Sequence, residues 1–293
     1  MERRDCPATS ARSSLFRKPM RRILLFFALL SGCAVGIAAE VATPGRVVSL
    51  DYCADQFVLK LLPRDRILAV SHDATKDFSY MREAASGLPK VRSVAEDILT
   101  IMPDLIVRSY GGGPHAVTFF ERAGVAVLQV PFANDIEGIR QTIRFVASEL
   151  GVATAGEELV ATMDQRLAVL NTSSAESNAL YMTPTGVTSG SGTLVHEMLV
   201  AAGFENFQAD PGWRSLPLER LAYEQPDVIA AAFFDADTNH PGLWSPMRHP
   251  VAKRQMKDQP TVMLQGSWTS CGAWFLLDAI EALAAKKSPS APG

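Results

Sequence analysis

Aromatic side chains recur directly after predicted β-strands, where the loops of an α/β protein commonly meet a ligand. Tyr52 follows the first strand-like run, Tyr110 follows a later one and Trp268 follows the last. Trp213 and Trp244 lie in Gly- and Pro-containing stretches typical of loops. Ligands bind beyond the carboxyl ends of strands in open α/β sheets, and aromatic rings offer a large contact area. We therefore predict that these five residues contact a bulky, partly apolar ligand.

Two of the four cysteines, Cys53 and Cys271, lie beside these aromatic residues. Each follows a predicted strand, so we expect both to face one cleft. Three interpretations of the pair remain open. They are a disulfide that ties two halves of the protein together, a pair of ligands for a soft metal or haem iron, and two unpaired small apolar side chains.

Other residues that often carry catalysis show no motif spacing. The glycines at 111–113 lack the Lys and Ser or Thr that complete a phosphate-binding loop, and residues 186–192 match neither a nucleophile elbow nor a dinucleotide fingerprint. The histidines lack paired metal-ligand spacing; they are His72, His115, His196, His240 and His249. We therefore predict a non-enzymatic binding protein without a resident cofactor.

Composition excludes two broad classes of protein. The chain has 293 residues, of which 47% are hydrophobic, and its 28 Lys and Arg residues stand against 31 Asp and Glu residues. No basic excess is available to neutralise phosphates, so a nucleic-acid partner is not expected. The only long apolar run lies near the start, which excludes a protein with many membrane spans.

The first residues have the pattern of an export signal. A basic cluster at 17–22 precedes an unbroken apolar run at 23–30, and small residues follow as far as Ala39. Residues 1–39 are therefore predicted to be a signal peptide. Cleavage after Ala39 fits this pattern, and so does lipidation of Cys33, because the LSGC sequence that ends there resembles a lipoprotein cleavage box.

Strand-like runs alternate with helical patterns along the rest of the chain. The strand-like runs are at residues 46–50, 67–70, 105–107, 124–130, 179–182 and 262–264. Apolar residues recur at helical spacing over 54–62, 136–150 and 155–170. This alternation predicts an α/β protein with parallel sheets. We divide it into an N-terminal lobe (40–150), a bridging helix with its linker (151–177) and a C-terminal lobe (178–293).

The sequence pattern of the N-terminal lobe recurs in the C-terminal lobe at a constant offset of 123 residues. Glu96 corresponds to Glu219, and the Pro-Asp pair at 103–104 corresponds to the one at 226–227. Each copy has a predicted helix with an early glutamate, a Pro-Asp stop and a hydrophobic strand. Matched positions at one offset favour two similar lobes.

Several segments together resemble the periplasmic binding proteins of vitamin B12 and iron–siderophore ABC importers. They are RVVSL (46–50), LPKV (88–91), the helix and strand at 96–107, ERAGVAV (121–127), AAGFEN (201–206) and the helix and strand at 218–229. The likeness extends over about 46–283. It implies two Rossmann-like lobes bridged by one long helix, here at 155–170. It also implies a periplasmic, monomeric carrier that binds a metal chelate between its lobes.

In this family the cargo passes to a membrane permease whose ATPase subunits supply energy. The resemblance implies that Glu96 and Glu219 dock against arginines of that permease. A capping box formed by Ser93 and Glu96 is a competing role for the first glutamate. Leu216 stands where a capping residue for Glu219 would be, so capping does not explain the second.

The nature of the cargo stays open between a corrinoid, a ferric siderophore and haem. The chain departs from its relatives at DYC (51–53) and WTSC (268–271), both at the presumed cleft. Three arginines are candidates for anionic groups of a ligand: Arg92, Arg108 and Arg214. The alternatives to a carrier are a two-lobed tetrapyrrole chelatase and a protein that binds free zinc or manganese.

Overall fold

A computed structural model of the protein describes residues 44–170, 177–232 and 246–287. All of them belong to one compact unit, residues 41–293. The predicted signal peptide with Cys33 lies outside the described residues, as do Trp244 and His240. No helix in the described ranges is long and apolar enough to cross a membrane.

The first sheet has five parallel strands, whose order across the sheet is β3-β2-β1-β4-β5. They are β1 (Val47–Ser49), β2 (Ile67–Ser71), β3 (Lys90–Val91), β4 (Leu105–Arg108) and β5 (Ala126–Gln129). The central strands β1 and β4 are buried along their whole length. Strands covered on both faces consist of continuous apolar runs, which explains why the sequence pattern located them.

A second parallel sheet has the order β11-β10-β6-β8, and β7 pairs antiparallel with β9 in a separate two-stranded sheet. The strands are β6 (Asn178–Met182), β7 (Val187–Ser189), β8 (Glu205–Asn206), β9 (Trp213–Ser215), β10 (Val228–Ala231) and β11 (Thr261–Met263). The predicted α/β class with two parallel sheets is confirmed.

Helices cover the sheets. They are α1 (Tyr52–Leu61), α2 (Ala95–Thr100), α3 (Ala116–Arg122), α4 (Ile136–Glu149), α5 (Ala153–Ala168), α6 (Leu194–Ala201), α7 (Leu218–Tyr223), α8 (Pro250–Asp258), α9 (Gly266–Thr269) and α10 (Leu276–Ala284). We refer to the five-stranded sheet with α1–α4 as the N-terminal half. The C-terminal half comprises β6–β11 with α6–α10.

The longest helix, α5, connects the two halves along the chain. Gly151, with a φ of 70°, turns the chain between α4 and α5, a conformation that glycine adopts without strain. Gly156 of α5 packs so closely on Ala147 of α4 that a Cβ at this position would lie 2.4 Å from the Cβ of Ala147. On its other side, the Arg166 guanidinium of α5 binds Asp278 and Glu281 of α10.

The offset of 123 residues seen in the sequence relates equivalent elements of the two halves. It superposes the bounds of α2 on those of α7, and those of β4 on those of β10. The backbone contacts before the strands also match. Asp104 donates its backbone N–H to the carbonyl of Arg46 at 2.9 Å, and Asp227 donates its own to the carbonyl of Asn178 at 3.1 Å.

Candidate functional site

The carboxyl edges of the two parallel sheets meet at one junction. Cys53, at the start of α1, forms a disulfide with Cys271, which follows α9; their Cα atoms are 5.7 Å apart. The hydroxyl of Tyr52 donates to the carbonyl of Ser270 at 3.2 Å. The sequence left three interpretations of the cysteine pair open, and the structure joins them covalently across this junction.

A cavity of about 450 Å³ opens beside the disulfide. The N-terminal half contributes the segment after β5, and the C-terminal half contributes the start of α6, the end of β6, β9 and the segment after α9. Its lining includes Ala133, Asn134, Tyr181, Gly192, Thr193, Met198, Trp213, Thr269, Ser270 and Cys271. A volume of this size suits a small organic molecule or a chelate.

A buried carboxylate, that of Asp51, organises the N-terminal edge of the junction. Its Oδ1 accepts the amide of Ala54 and caps α1, while its Oδ2 accepts the amides of Ser109, Tyr110 and Gly111 at 2.7–3.0 Å. The side chain thus ties the loop after β4 to the first turn of α1. Sequence reasoning missed this role, although an Asp directly before a predicted helix is a recognisable N-cap.

This anchoring brings two of the predicted aromatic residues together. The ring centroids of Tyr52 and Tyr110 are 5.8 Å apart, and Phe78 lies 4.9 Å from Tyr52. Burial is the main cause that raises the pKa of both tyrosines, so both hydroxyls stay protonated at neutral pH. Tyr110 is 46% exposed and forms a rim of the junction.

Trp213 lines the cavity from the opposite half. The sequence placed it in a loop, but it begins the short strand β9, because the segment pairs with β7. Its ring centroid lies 6.2 Å from that of Tyr181, and 56% of its surface is exposed. Burial raises the pKa of Tyr181 to about 12. The cavity therefore has an exposed indole that packs edge-to-face against a buried tyrosine.

The four predicted aromatic residues that the structure describes do not converge on one spot. Trp213 lines the cavity, whereas Tyr52 and Tyr110 lie beside it in the N-terminal half. Trp268, in α9, is half-buried and packs against the main hydrophobic core rather than lining the cavity. Contact of any of the five residues with a ligand, including Trp244 outside the described ranges, stays a prediction.

None of the three candidate arginines lines the cavity. Arg92 pairs with Asp97, and Arg108 is buried with one guanidinium nitrogen donating to the carbonyl of Gly113. Arg214 follows Trp213 in a strand, so its side chain points to the opposite face. Among the residues that the structure describes, no Asp, Glu, His, Lys or Arg lines this cavity.

Polar groups without charge take their place. Asn134, Thr193 and Ser270 line the cavity, and the hydroxyl of Thr269 is buried there without a hydrogen-bond partner. A buried hydroxyl that lacks a partner is costly unless something else binds it. In the described ranges, no three His, Cys, Asp or Glu side chains are arranged to hold a metal ion.

The two repeat glutamates occupy equivalent positions. Glu96 is the second residue of α2 and Glu219 the second residue of α7; both are exposed. The predicted capping box is wrong, because α2 begins one residue later than that motif requires and Ser93 donates its hydroxyl to the carbonyl of Leu50 instead. No ion pair engages either glutamate within the described part of the chain.

A second buried carboxylate, Asp55, lies below Asp51 on α1. It accepts the backbone N–H of Ser71 at 3.0 Å and its hydroxyl at 2.6 Å. Burial raises the pKa of Asp55 from 3.8 to about 6, although the hydrogen bonds from Ser71 act in the opposite direction. The sequence read this position only as part of an amphipathic helix.

Two parallel sheets that meet at a ligand-sized cavity define an α/β binding protein with two halves. Residues 47–254 match the profile of the family described as "Periplasmic binding protein", and the chain belongs to this family. A curated relative, a cobalamin-binding protein from Halobacterium salinarum, is 28% identical over an alignment of 209 residues that covers 68% of this chain and 56% of the relative. The chain thus spans little more than half the length of the curated relatives it matches.

Solved structures show the same fold. The periplasmic heme-binding protein RhuT from Roseiflexus sp. RS-1 has a TM-score of 0.64 and 22% identity, covering 82% of this chain and 96% of that chain. The periplasmic vitamin B12 binding protein BtuF of Vibrio cholerae has a TM-score of 0.59 and 20% identity, covering 84% of this chain and 99% of that chain. These relatives are binding proteins rather than enzymes.

Proposed function

We propose that the protein is the solute-binding component of an ABC importer and carries a metal chelate in the cavity between its halves. The observation that carries this proposal is the cavity of about 450 Å³ at the joined carboxyl edges of two parallel sheets. It offers Trp213 and Tyr181 for contact area and hydroxyl and amide groups for orientation. The protein binds its cargo without a chemical step.

The uncharged lining of the cavity favours a corrinoid among the possible chelates. Haem carries two carboxylates and many siderophores are anionic, and a buried anion requires a paired cation. The described lining has no cation, whereas its Asn134 and hydroxyl groups suit the neutral amides around a corrin ring. The cobalamin-binding relative supports the same choice.

Titration with three chelates tests this proposal. Cyanocobalamin, hemin and the anionic ferric enterobactin are added separately to the purified protein, and binding is followed by calorimetry. We expect cyanocobalamin to bind at one equivalent and more tightly than the other two. Tighter binding of hemin or of ferric enterobactin would overturn the choice of a corrinoid, and no binding of any of the three would overturn the carrier for a metal chelate.

Docking to a permease through Glu96 and Glu219 is part of the same proposal. Their exposure and equivalent placement suit a partner with two similar subunits. The double variant Glu96→Gln/Glu219→Gln is expected to abolish uptake in cells and leave cyanocobalamin affinity unchanged. The control is Glu83→Gln/Glu205→Gln, which removes one exposed glutamate from each half. Normal uptake by the first variant would contradict the docking roles.

Export completes the proposal. Residues 1–39 direct the chain to the periplasm, with cleavage after Ala39 or lipidation at Cys33, and the mature monomer has lobes at 40–150 and 178–293 joined by 151–177. Intact mass spectrometry of the protein from its host distinguishes a free amino terminus near residue 40 from a lipid on Cys33. A mass that retains residues 1–32 would contradict both.

A further inference from the structure

A second cavity, of about 240 Å³, opens on the N-terminal half beside Glu96. It is lined by Ser93, Ala95, His115, Ala116, Phe119 and Phe120. Ala95 directly precedes Glu96 and Ser93 lies three residues before it, so the cavity and this carboxylate share one corner of the surface. Phe119 forms a wall of the cavity and is 47% exposed.

The corner lies at the carboxyl edge of the five-stranded sheet, the same edge that carries the main cavity. Ser93 donates its hydroxyl to the carbonyl of Leu50, the residue after β1. The loop after β4 also approaches this point, because a Cβ on Gly111 would lie 2.6 Å from the same carbonyl oxygen. A partner that receives cargo from this edge therefore meets the second cavity as well.

The charged side chains at this corner leave one carboxylate available to a partner. Asp97, next to Glu96, is held by Arg92 through two hydrogen bonds of 2.8 and 3.2 Å. Glu96 itself has no ion pair among the described residues. An apolar depression next to an unpaired charge has the composition of an interaction hot spot, with an apolar centre and a polar rim.

The matching corner of the C-terminal half is built differently. At the offset of 123 residues, Leu216 takes the place of Ser93 and Leu218 that of Ala95. Leu216 is buried and Leu218 half-buried, and both pack in the core beneath α7. These larger side chains fill positions that border the cavity in the first half.

We propose that the cavity beside Glu96 receives an aliphatic or aromatic side chain of the permease, located next to the cation that pairs with Glu96. The inference rests on the proposed docking function and deepens it. Because the described part of the second corner is filled at these positions, this anchor gives the docked protein one preferred orientation on a permease with two similar subunits.

The test measures binding to the cognate permease–ATPase complex in lipid nanodiscs. Ala95→Phe fills the cavity and Phe119→Asp places a charge in its wall. We expect each to weaken the complex about tenfold or more, as the loss of a hot-spot contact does. The matched controls are Ala84→Phe, at an exposed alanine, and Phe145→Asp, at a phenylalanine that is 42% exposed on α4.

Two results distinguish this inference from the docking proposal. If Glu96→Gln/Glu219→Gln weakens the complex but Ala95→Phe and Phe119→Asp bind as the controls do, the cavity has no anchoring role and the inference is overturned. If the glutamate variant binds normally, the docking proposal itself fails. The thermal midpoint and cyanocobalamin affinity of each variant verify that its fold is intact.

Discussion

The two halves build their cleft-facing edges from different chemistry. In the described ranges, every buried Asp, Glu, Lys or Arg lies in the N-terminal half: Asp51, Asp55 and Arg108. The buried polar residues of the C-terminal half are neutral hydroxyls and amides, among them Ser189 and Thr193. One half is therefore fixed by charge-assisted hydrogen bonds, and the other offers uncharged groups and an exposed indole to a ligand.

This difference shows how one fold divides support from recognition. Charge-assisted hydrogen bonds are stronger than neutral ones and hold their partners in defined positions. They keep Tyr52 and Tyr110 in place, with pKa values raised by burial. The described part of the C-terminal half has no buried charged side chain, and Trp213 at its edge is exposed and available for contact.

Removal of the Asp51 carboxylate is expected to have the largest effect on stability among the changes that compare the two edges. Asp51→Ala leaves four amides without this acceptor, three of them buried, and we expect the free energy of unfolding to fall by about 3–5 kcal/mol. Thr193→Ala, which removes the N-cap of α6 in the other half, is expected to cost only about 1 kcal/mol. Urea denaturation measures both. Equal losses would contradict a special role for the charged edge.

Loss of the disulfide tests how firmly the two edges are joined. The double variant Cys53→Ser/Cys271→Ser removes a link between residues 218 positions apart. Because the link restricts the unfolded chain, we expect a loss of about 2–4 kcal/mol in the free energy of unfolding. The same loss should appear when the wild-type protein is unfolded with a reductant present. A variant as stable as the oxidised wild type would show that packing alone joins the halves.

We expect the titration of Asp55 to make the stability of the protein depend on pH. Because burial raises its pKa from 3.8 to about 6, the folded protein holds this proton more tightly than the unfolded chain. The stabilisation is complete below pH 4 and is lost as the pH rises through about 6, a change of about 3 kcal/mol for two pK units. Between pH 4 and 7.5, wild type should therefore lose about that much more stability than Asp55→Asn. Parallel profiles would refute the assignment.

The smallest effect is expected at the recognition edge. Trp213→Ala should weaken cyanocobalamin binding about tenfold, or about 1.4 kcal/mol, with little change in thermal midpoint. Tyr223→Ala is the control, since this side chain on α7 is 92% exposed and does not line the cavity. Calorimetric titration of both variants measures the difference. Unchanged affinity of the Trp213 variant would move the site away from β9.

Short-range sequence patterns predicted most of the architecture. The strands at 105–107 and 179–182 lie within β4 and β6, and the helix predicted at 155–170 is α5, displaced by two residues. Buried parallel strands are apolar throughout, and the apolar residues of helices recur every 3.6 residues. Both elements can therefore be recognised from short stretches of sequence. The repeat placed Glu96 and Glu219 on equivalent helices for the same reason.

The sequence predicted the candidate site only in part. Trp213 was assigned to a loop because its pairing partner β7 is distant in sequence. The predicted aromatic residues were expected in one place, although among those that the structure describes only Trp213 lines the cavity. The anchor Asp51 was missed because three of its four amide donors come from the loop after β4, more than 50 residues away.

Local sequence patterns therefore specify the α/β class, the parallel strands and the twofold repeat, because these depend on periodicity along the chain. Three features emerge only in the folded protein: Cys53 pairs with Cys271, Asp51 fixes the N-terminal edge, and the cavity lining is uncharged in the described residues. These features arise where segments distant in sequence meet. Their energies depend on burial and contact geometry, which no local pattern of residues encodes.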